Sequence, residues 1–195
     1  MKNFLDMKKI ALIAAASLFI GVAAMAQGPK FAHVNFNELV QLMPEMDSAR
    51  VQMDASQKEI QDTYQSMIEE FNAKYTEYGE KQATWTQSVR ESKEREIQSI
   101  QTRIQEFEQS SQQDISQLQN ALMGPIYQKA QEVVTNLAKA QGFIYVFDSS
   151  QLLYIDESQS TNLTQSAREA LNIPADRTME SLQAELQAKA QAAQQ

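Results

Sequence analysis

The chain has 195 residues, a formal net charge of −8, one histidine and no cysteine. The absence of cysteine excludes disulfide bonds and thiol chemistry. The acidic balance argues against nucleic acid as a partner and against broad attraction to anionic lipid, because both require a basic surface. Five glycines are too few to suggest a glycine-rich phosphate-binding loop.

Residues 1–26 are typical of a cleaved export signal. Lys8 and Lys9 precede an apolar run over residues 10–24, and residues 24–26 have the small-x-small form that signal peptidase recognises. An uncleaved membrane anchor is the alternative, but the apolar run is short for a span of about 20 residues. We therefore expect cleavage and a periplasmic mature protein.

Cleavage before Gln27 would leave 14 basic and 24 acidic residues, so the mature chain would be more acidic than the precursor. The sequence from Met7 forms a complete signal on its own, which leaves either Met1 or Met7 as the true start.

Residues 27–43 predict the first part of a small β-rich body. Phe31–Phe36 is an apolar run typical of a strand. Asn37 is a candidate N-cap for a short helix over 38–43. Pro44 suits the first position of a new helix, where its missing N–H costs nothing.

Residues 44–123 predict a long helical hairpin. Apolar residues recur at steps of three and four in both halves, with polar flanks, which is the pattern of a coiled coil. The pattern lapses near Lys81–Thr84, and Gly79 lies close to the midpoint, so we expect two antiparallel arms rather than one unbroken helix. The seam residues are Ile60, Tyr64, Met67, Ile68, Phe71, Tyr75 and Tyr78, then Ile97, Ile100, Ile104, Phe107, Ile115 (reached through Ser111), Leu118 and Leu122.

Residues 124–173 predict the second part of the body. Pro125 should kink or break the returning arm and is a hinge candidate, with a kink of no functional meaning as the alternative. Gly142 is placed to end the helix that follows. Phe143–Phe147 and Leu152–Ile155 are β-prone and predict a strand hairpin, since turn residues separate them.

Asn162 and Gln165 resemble a capping box for a helix over 163–171, which should end at 172–174. The residues from 174 to 195 form a tail rich in Gln and Ala, which we expect to be mobile or a frayed helix.

The predicted fold class is α+β and mainly α, with a helical hairpin carried by a small strand body. Two or three strands per chain are marginal on their own. Strands from several copies closing into one common barrel would hide their edges.

The sequence offers no constellation for catalysis or for a metal, so we expect neither enzyme activity nor a cofactor. His33 is the only histidine, and carboxylates without histidine or cysteine are weak ligands for zinc or copper. The paired carboxylates lie in helical, charge-alternating sequence, where solvated faces are the usual explanation.

Aromatic side chains are concentrated in the predicted arms. One interpretation is that they fill the seam between the two helices. The other is that Tyr75, Tyr78 and Trp85, near the tip, present adaptable surface to a bound protein, as Met67 would.

Three segments together resemble the Skp/OmpH family of periplasmic chaperones. They are Asn37–Glu45 (NELVQLMPE), Gly124–Val134 (GPIYQKAQEVV) and Ala140–Asp148 (AQGFIYVFD), and the resemblance covers residues 31–171. The resemblance implies a homotrimer with a shared β-barrel body and helical arms around a cavity, which holds unfolded outer-membrane proteins without ATP.

The resemblance also implies roles for particular residues. It assigns the trimer body to Phe31, Val34, Phe36, Phe143, Tyr145, Phe147, Leu153 and Ile155. It places client contacts, meaning contacts to the held unfolded protein, on the arms. With the tip residues, the client-contacting set is Tyr64, Met67, Phe71, Tyr75, Tyr78, Trp85 and Phe107.

One departure from the family concerns charge. The best-known members have basic arms, whereas acidic residues outnumber basic ones around this tip, which argues against binding of lipopolysaccharide or a membrane surface. The alternative function is a coiled-coil adaptor that docks on one fixed envelope partner through a specific interface near Gly79–Trp85.

Overall fold

The computed structural model describes residues 28–192, so the predicted export signal lies outside the described residues. The elements in chain order are strand β1 (Phe31–Val34), helices α1 (Phe36–Leu42), α2 (Pro44–Lys81) and α3 (Gln87–Gln141), strands β2 (Tyr145–Asp148) and β3 (Ser160–Asn162), and helices α4 (Thr164–Ala170) and α5 (Met179–Ala192). Over the described range, none of these helices is both long enough and apolar enough to span a membrane.

The chain divides into two compact units. Among the described residues, the first combines 28–39 with Gln131–Ala175, and the second combines Val40–Ala130 with 176–192. The strands lie in the first unit and the hairpin in the second. The mainly helical α+β class predicted from the sequence is confirmed.

The first unit contains a three-stranded parallel sheet in the order β2-β1-β3. Ala32 and Val34 of the central strand are buried, as are Leu163, Ala167 and Leu171 on and beside α4. Alternation along β1 places the side chains of Phe31 and His33 on the opposite face from Ala32 and Val34.

The predicted strand hairpin was wrong. Leu152–Ile155 is irregular, and the third strand is Ser160–Asn162, which pairs parallel to β1 instead of antiparallel to β2. β-propensity does not make a strand without a partner backbone to complete the ladder. The short polar segment 160–162 lies beside β1 and pairs with it, although its composition carries no strand signal.

Local signals set most helix ends. Pro44 begins α2 as predicted. The cap of α1 is Asn35 rather than Asn37: Asn35 Oδ1 accepts from the Glu38 N–H at 3.1 Å, and Asn35 Nδ2 donates to Glu38 Oε2 at 3.1 Å. Asn35 thus caps the helix through its side chain, and α1 starts two residues earlier than expected.

Two helices end as the sequence predicted. Gly142 has φ +74°, and Phe143 N–H donates to Ala138 O at 3.0 Å, which is the Schellman pattern at the end of α3. Asn172 has φ +57° and ends α4 in the same way, with Ile173 N–H donating to Arg168 O at 2.9 Å.

The start of α4 differs in detail from the prediction. Asn162 Oδ1 accepts from Thr164 N–H at 2.9 Å, but Gln165 hydrogen-bonds to Glu169 instead of closing a capping box.

The hairpin in the second unit is confirmed, with the turn at residues 82–86. Its arms are antiparallel, because the pairs Glu70–Arg103, Lys74–Glu96 and Tyr78–Glu94 step up one helix as they step down the other. Gly79 is helical and does not form the turn. Helix α3 continues through Pro125, so the predicted break is absent.

The segment after Pro174 contains a capped helix. Ser181 N–H donates to Thr178 Oγ1 at 3.1 Å, and Thr178 N–H donates to Ser181 Oγ at 2.9 Å, which closes the start of α5 reciprocally. Arg177 forms an ion pair with Asp47, and Leu182 is buried. These contacts attach α5 to the second unit.

Candidate functional site

An aromatic cluster lies on one face of the sheet. Phe31 and Tyr145 are register partners with ring centroids 6.3 Å apart and nearly parallel rings, and Phe147 lies 6.4 Å from Phe31 and 6.0 Å from Tyr145. Tyr145 is 60% exposed and Phe147 is 42% exposed. We call these three residues the aromatic sheet face. All three belong to the trimer body that the family resemblance implies, and they lie together on this face.

The apolar segment after β2 is also exposed. Leu153 and Tyr154 are 107% and 80% exposed, and Leu152 is exposed as well. Ile144, directly before β2, is also an exposed large apolar residue. Within residues 28–192 the segment 152–155 has no strand partner. Leu152, Tyr154 and Ile144 lie in the β-prone runs 143–147 and 152–155, which the family resemblance assigns to the trimer body.

The other predicted body residues are less accessible. Val34 is 3% exposed and belongs to the core of its own unit. Phe36, Phe143 and Ile155 are half-buried. These four positions therefore offer less surface to a second molecule than Tyr145, Phe147 and Leu153 do.

The predicted client-contacting residues lie along the hairpin, and four of them form two aromatic pairs. Phe71 and Tyr75 stack with centroids 5.8 Å apart, and Tyr78 meets Trp85 edge-on at 5.9 Å. Tyr75 is 62% exposed. The others, which are Tyr64, Met67, Phe71, Tyr78, Trp85 and Phe107, are half-buried. Each of these six side chains thus both packs in the hairpin and keeps some surface available.

Charges near the tip are paired across the arms. Glu96 bonds Lys74 at 2.6 Å and Lys93 at 3.2 Å, and these bonds hold the pKa of Glu96 below its usual value. Lys81 and then Lys93 lower the pKa of Glu77 in the same way. Glu77 and Glu96 therefore each lie beside two lysines in the folded hairpin.

His33 is buried on the sheet, where its Nδ1 lies 2.8 Å from Ser160 Oγ. Among the described residues no group of three potential metal-ligating side chains comes together.

The comparisons with known proteins agree with one another. The model of the family described as outer membrane protein (OmpH-like) matches residues 30–171. The chain belongs to the OmpH-like family. The chaperone protein Skp of Yersinia enterocolitica is 25% identical over 157 residues, covering 78% of this chain and 93% of that protein.

A solved structure shows the same fold. It is described as an OmpH-like outer membrane chaperone from Caulobacter crescentus, with a TM-score of 0.66 at 13% identity, covering 78% of this chain and 92% of that one. The family model and the Skp match indicate an outer membrane chaperone of the Skp/OmpH type, and the solved structure shows the shared fold. Proteins of this family are chaperones and not enzymes. Helix α5 lies beyond the matched residues.

Proposed function

We propose that the protein is an ATP-independent periplasmic holdase that binds unfolded outer-membrane β-barrel proteins and prevents their aggregation. The observation that carries the proposal is the apolar surface left on a chain of the OmpH-like family. Tyr75 on the hairpin and Tyr145, Leu153 and Tyr154 on the sheet unit are all at least 60% exposed. Exposed apolar side chains that lie together, as Phe31, Tyr145 and Phe147 do, are typical of interaction sites.

The working form in this proposal is a homotrimer. The first unit, which contains the sheet, has open edges at β2 and β3 and carries the aromatic sheet face. Among the described residues its β-prone segment 152–155 has no strand partner. Open edges and unpaired β-prone backbone are liabilities in a lone chain, and pairing between copies removes both. The segment 152–155 thus becomes the strand that the sequence predicted, but on a neighbouring copy.

The hairpins hold the client. An unfolded barrel strand alternates apolar and polar residues along its length. Half-buried aromatics spaced along α2 and α3, such as Phe71, Tyr78 and Phe107, offer many weak contacts instead of one tight site. Arms from three copies would combine these contacts into useful affinity without strong sequence preference.

The test is suppression of aggregation. Protein lacking residues 1–26 is mixed with several urea-unfolded outer-membrane barrel proteins, which are then diluted into buffer at low and high salt while light scattering is followed. We expect suppression for each barrel, saturating near three chains per client. Because salt screens exposed charges and the contacts proposed here are apolar, we expect salt to change the suppression little.

Two results would count against the holdase. No suppression for any barrel would favour the adaptor that docks on one fixed partner. Removal of residues 79–85 separates the functions further: an adaptor loses its partner completely, whereas a holdase loses capacity only in part.

A further inference from the structure

The hairpin seam has a gap at Ser111. Along α3 the inward positions carry Ile100, Ile104 and Phe107 before the gap and Ile115 after it. Ser111 occupies the step between Phe107 and Ile115 and is 7% exposed, so it lies in the seam and not on the outer surface. Coiled-coil seams are normally filled by large apolar side chains at such steps. Serine leaves this step short of volume.

A cavity of about 470 Å³ lies beside this serine, between the two arms. Its apolar lining comes from Ile60 on α2 and from Phe107 and Ile115 on α3. Tyr64, Glu108 and Gln112 supply polar atoms. The volume falls within the range of about 300–1,000 Å³ typical of binding clefts, and it exceeds what one aromatic side chain needs.

The lining selects for a particular kind of occupant. Tyr64 shares a hydrogen bond with the Glu108 carboxylate, which raises the pKa of the Tyr64 hydroxyl. A purely aliphatic occupant would desolvate this carboxylate without compensation, and an anion would be repelled by it. An aromatic ring fits this lining, because the positive edge of the ring attracts oxygen atoms and the ring can pack edge-on against Phe107. A ring O–H or N–H could donate to Glu108.

We propose that the gap at Ser111 binds a tyrosine or tryptophan side chain from an extended segment of an unfolded β-barrel protein. The proposal rests on the proposed function and gives it a site. Membrane barrels carry girdles of aromatic residues at both interfaces, so each client supplies many such side chains. The gap takes one of them at a time, and the arms above and below contact the rest of the strand.

The test uses Ser111→Leu, which fills the gap with the side chain that the seam pattern favours. Ser110→Leu is the matched control, because Ser110 is the exposed neighbour on the same helix. The probes are two ten-residue strand peptides, one with Tyr and Trp at alternate positions and one with Leu there. Binding of labelled peptide to the full protein is measured by fluorescence anisotropy.

We expect Ser111→Leu to weaken binding of the aromatic peptide about tenfold, a loss equivalent to roughly 1.4 kcal/mol. Ser110→Leu should leave that affinity within about twofold, on the scale of small surface effects. Ser111→Leu should also raise the urea midpoint, since it fills a gap, and a raised midpoint excludes unfolding as the cause of lost binding.

Equal binding of both peptides, or an unchanged affinity in Ser111→Leu, would overturn the site. The two proposals fail separately. If the protein suppresses barrel aggregation but does not discriminate between the peptides, the holdase proposal stands and the proposed site at Ser111 is wrong. A protein that binds the aromatic peptide at the gap but suppresses no barrel keeps the site and loses the holdase.

Discussion

Lys93 bonds two carboxylates near the tip of the hairpin, Glu96 at 3.2 Å and Glu77 at 3.9 Å. Lys81 on α2 bonds Glu77 at 3.1 Å, and Lys74 bonds Glu96 from across the hairpin. All these side chains are at least 30% exposed, and exposed ion pairs are individually weak. Their connection into one network ties both arms together beside the turn.

This network predicts that the tip loosens in acid. The folded-state pKa values of Glu77 and Glu96 lie below the ordinary value of 4.5. Their stabilisation is therefore complete above about pH 4.5 and is lost as the pH falls through the lowered values. Trp85 is the only tryptophan and packs on Tyr78, so its emission reports the tip. We expect its urea midpoint to be lower at pH 3 than at pH 7.

Glu96→Gln is the control for this prediction. The variant should have a lower midpoint at pH 7 and a smaller change between the two pH values, because one titrating partner has been removed. The same pH dependence in the variant as in the parent protein would contradict the assignment to this network.

The ion pairs between the two arms could not be predicted from the sequence. The charges of Lys74 and Glu96 are evident in the chain, but which of them meet depends on the register between the arms. The register depends on where the turn lies. Gly79 suggested a turn several residues before its actual position at 82–86. The interruption of the apolar pattern at 81–84 predicted the turn more closely, because a segment without large apolar residues has no side chains to bury between the arms.

Elements with local signals were predictable, and elements that depend on distant partners were not. Pro44, Gly142 and Asn172 set helix ends through the backbone geometry of one or two residues. The strand at Ser160–Asn162 forms because it lies beside β1, more than 120 residues away in the chain. Hydrogen bonding to that neighbour outweighs its weak propensity.

Glycine substitutions test this description of the helices. Gly79 and Gly124 lie inside helices with open space around the position of a Cβ atom, whereas Gly142 has φ +74°. Alanine at either helical site should stabilise the protein by roughly 0.5–1 kcal/mol. Gly142→Ala should destabilise it by about 1–2 kcal/mol, because a side chain disfavours the left-handed region.

Urea unfolding followed by far-UV circular dichroism measures these changes. The three variants control for one another, because each replaces glycine by alanine and the sites differ in backbone conformation. A loss of stability in Gly124→Ala would contradict a continuous helix next to Pro125. An unchanged stability in that variant would leave Pro125 as a candidate hinge with a frayed segment before it.

At the scale of the whole molecule, helix α5 is an extension beyond the residues that match the family. The matched residues 30–171 include the whole sheet and both arms, whereas α5 lies outside them. Arg177 pairs with Asp47 on α2. Lys189 is the main cause of the lowered pKa of Glu185 on α5, and Arg177 and Arg50 add smaller contributions. The extension is therefore bound to its own chain by charge as well as by Leu182.

Self-association is the property that the single chain least explains. Its sheet edges are open, and Leu153 is 107% exposed. A side chain with so much exposure contributes nothing to the stability of one chain, so its replacement by a charge should leave the fold intact. If segment 152–155 pairs with a second copy, the same replacement buries an unpaired carboxylate in the interface, which is costly.

Leu153→Asp should therefore shift the proposed trimer towards single chains without changing the circular dichroism, with association weakened at least about a hundredfold. Size-exclusion chromatography with multi-angle light scattering measures the mass, with the parent protein expected at three chains. Val89→Asp is the matched control, because Val89 is an exposed apolar residue on the hairpin. It should remain trimeric. A parent protein of single-chain mass at micromolar concentration, or a trimeric Leu153→Asp variant, would place the assembly surface elsewhere or remove it.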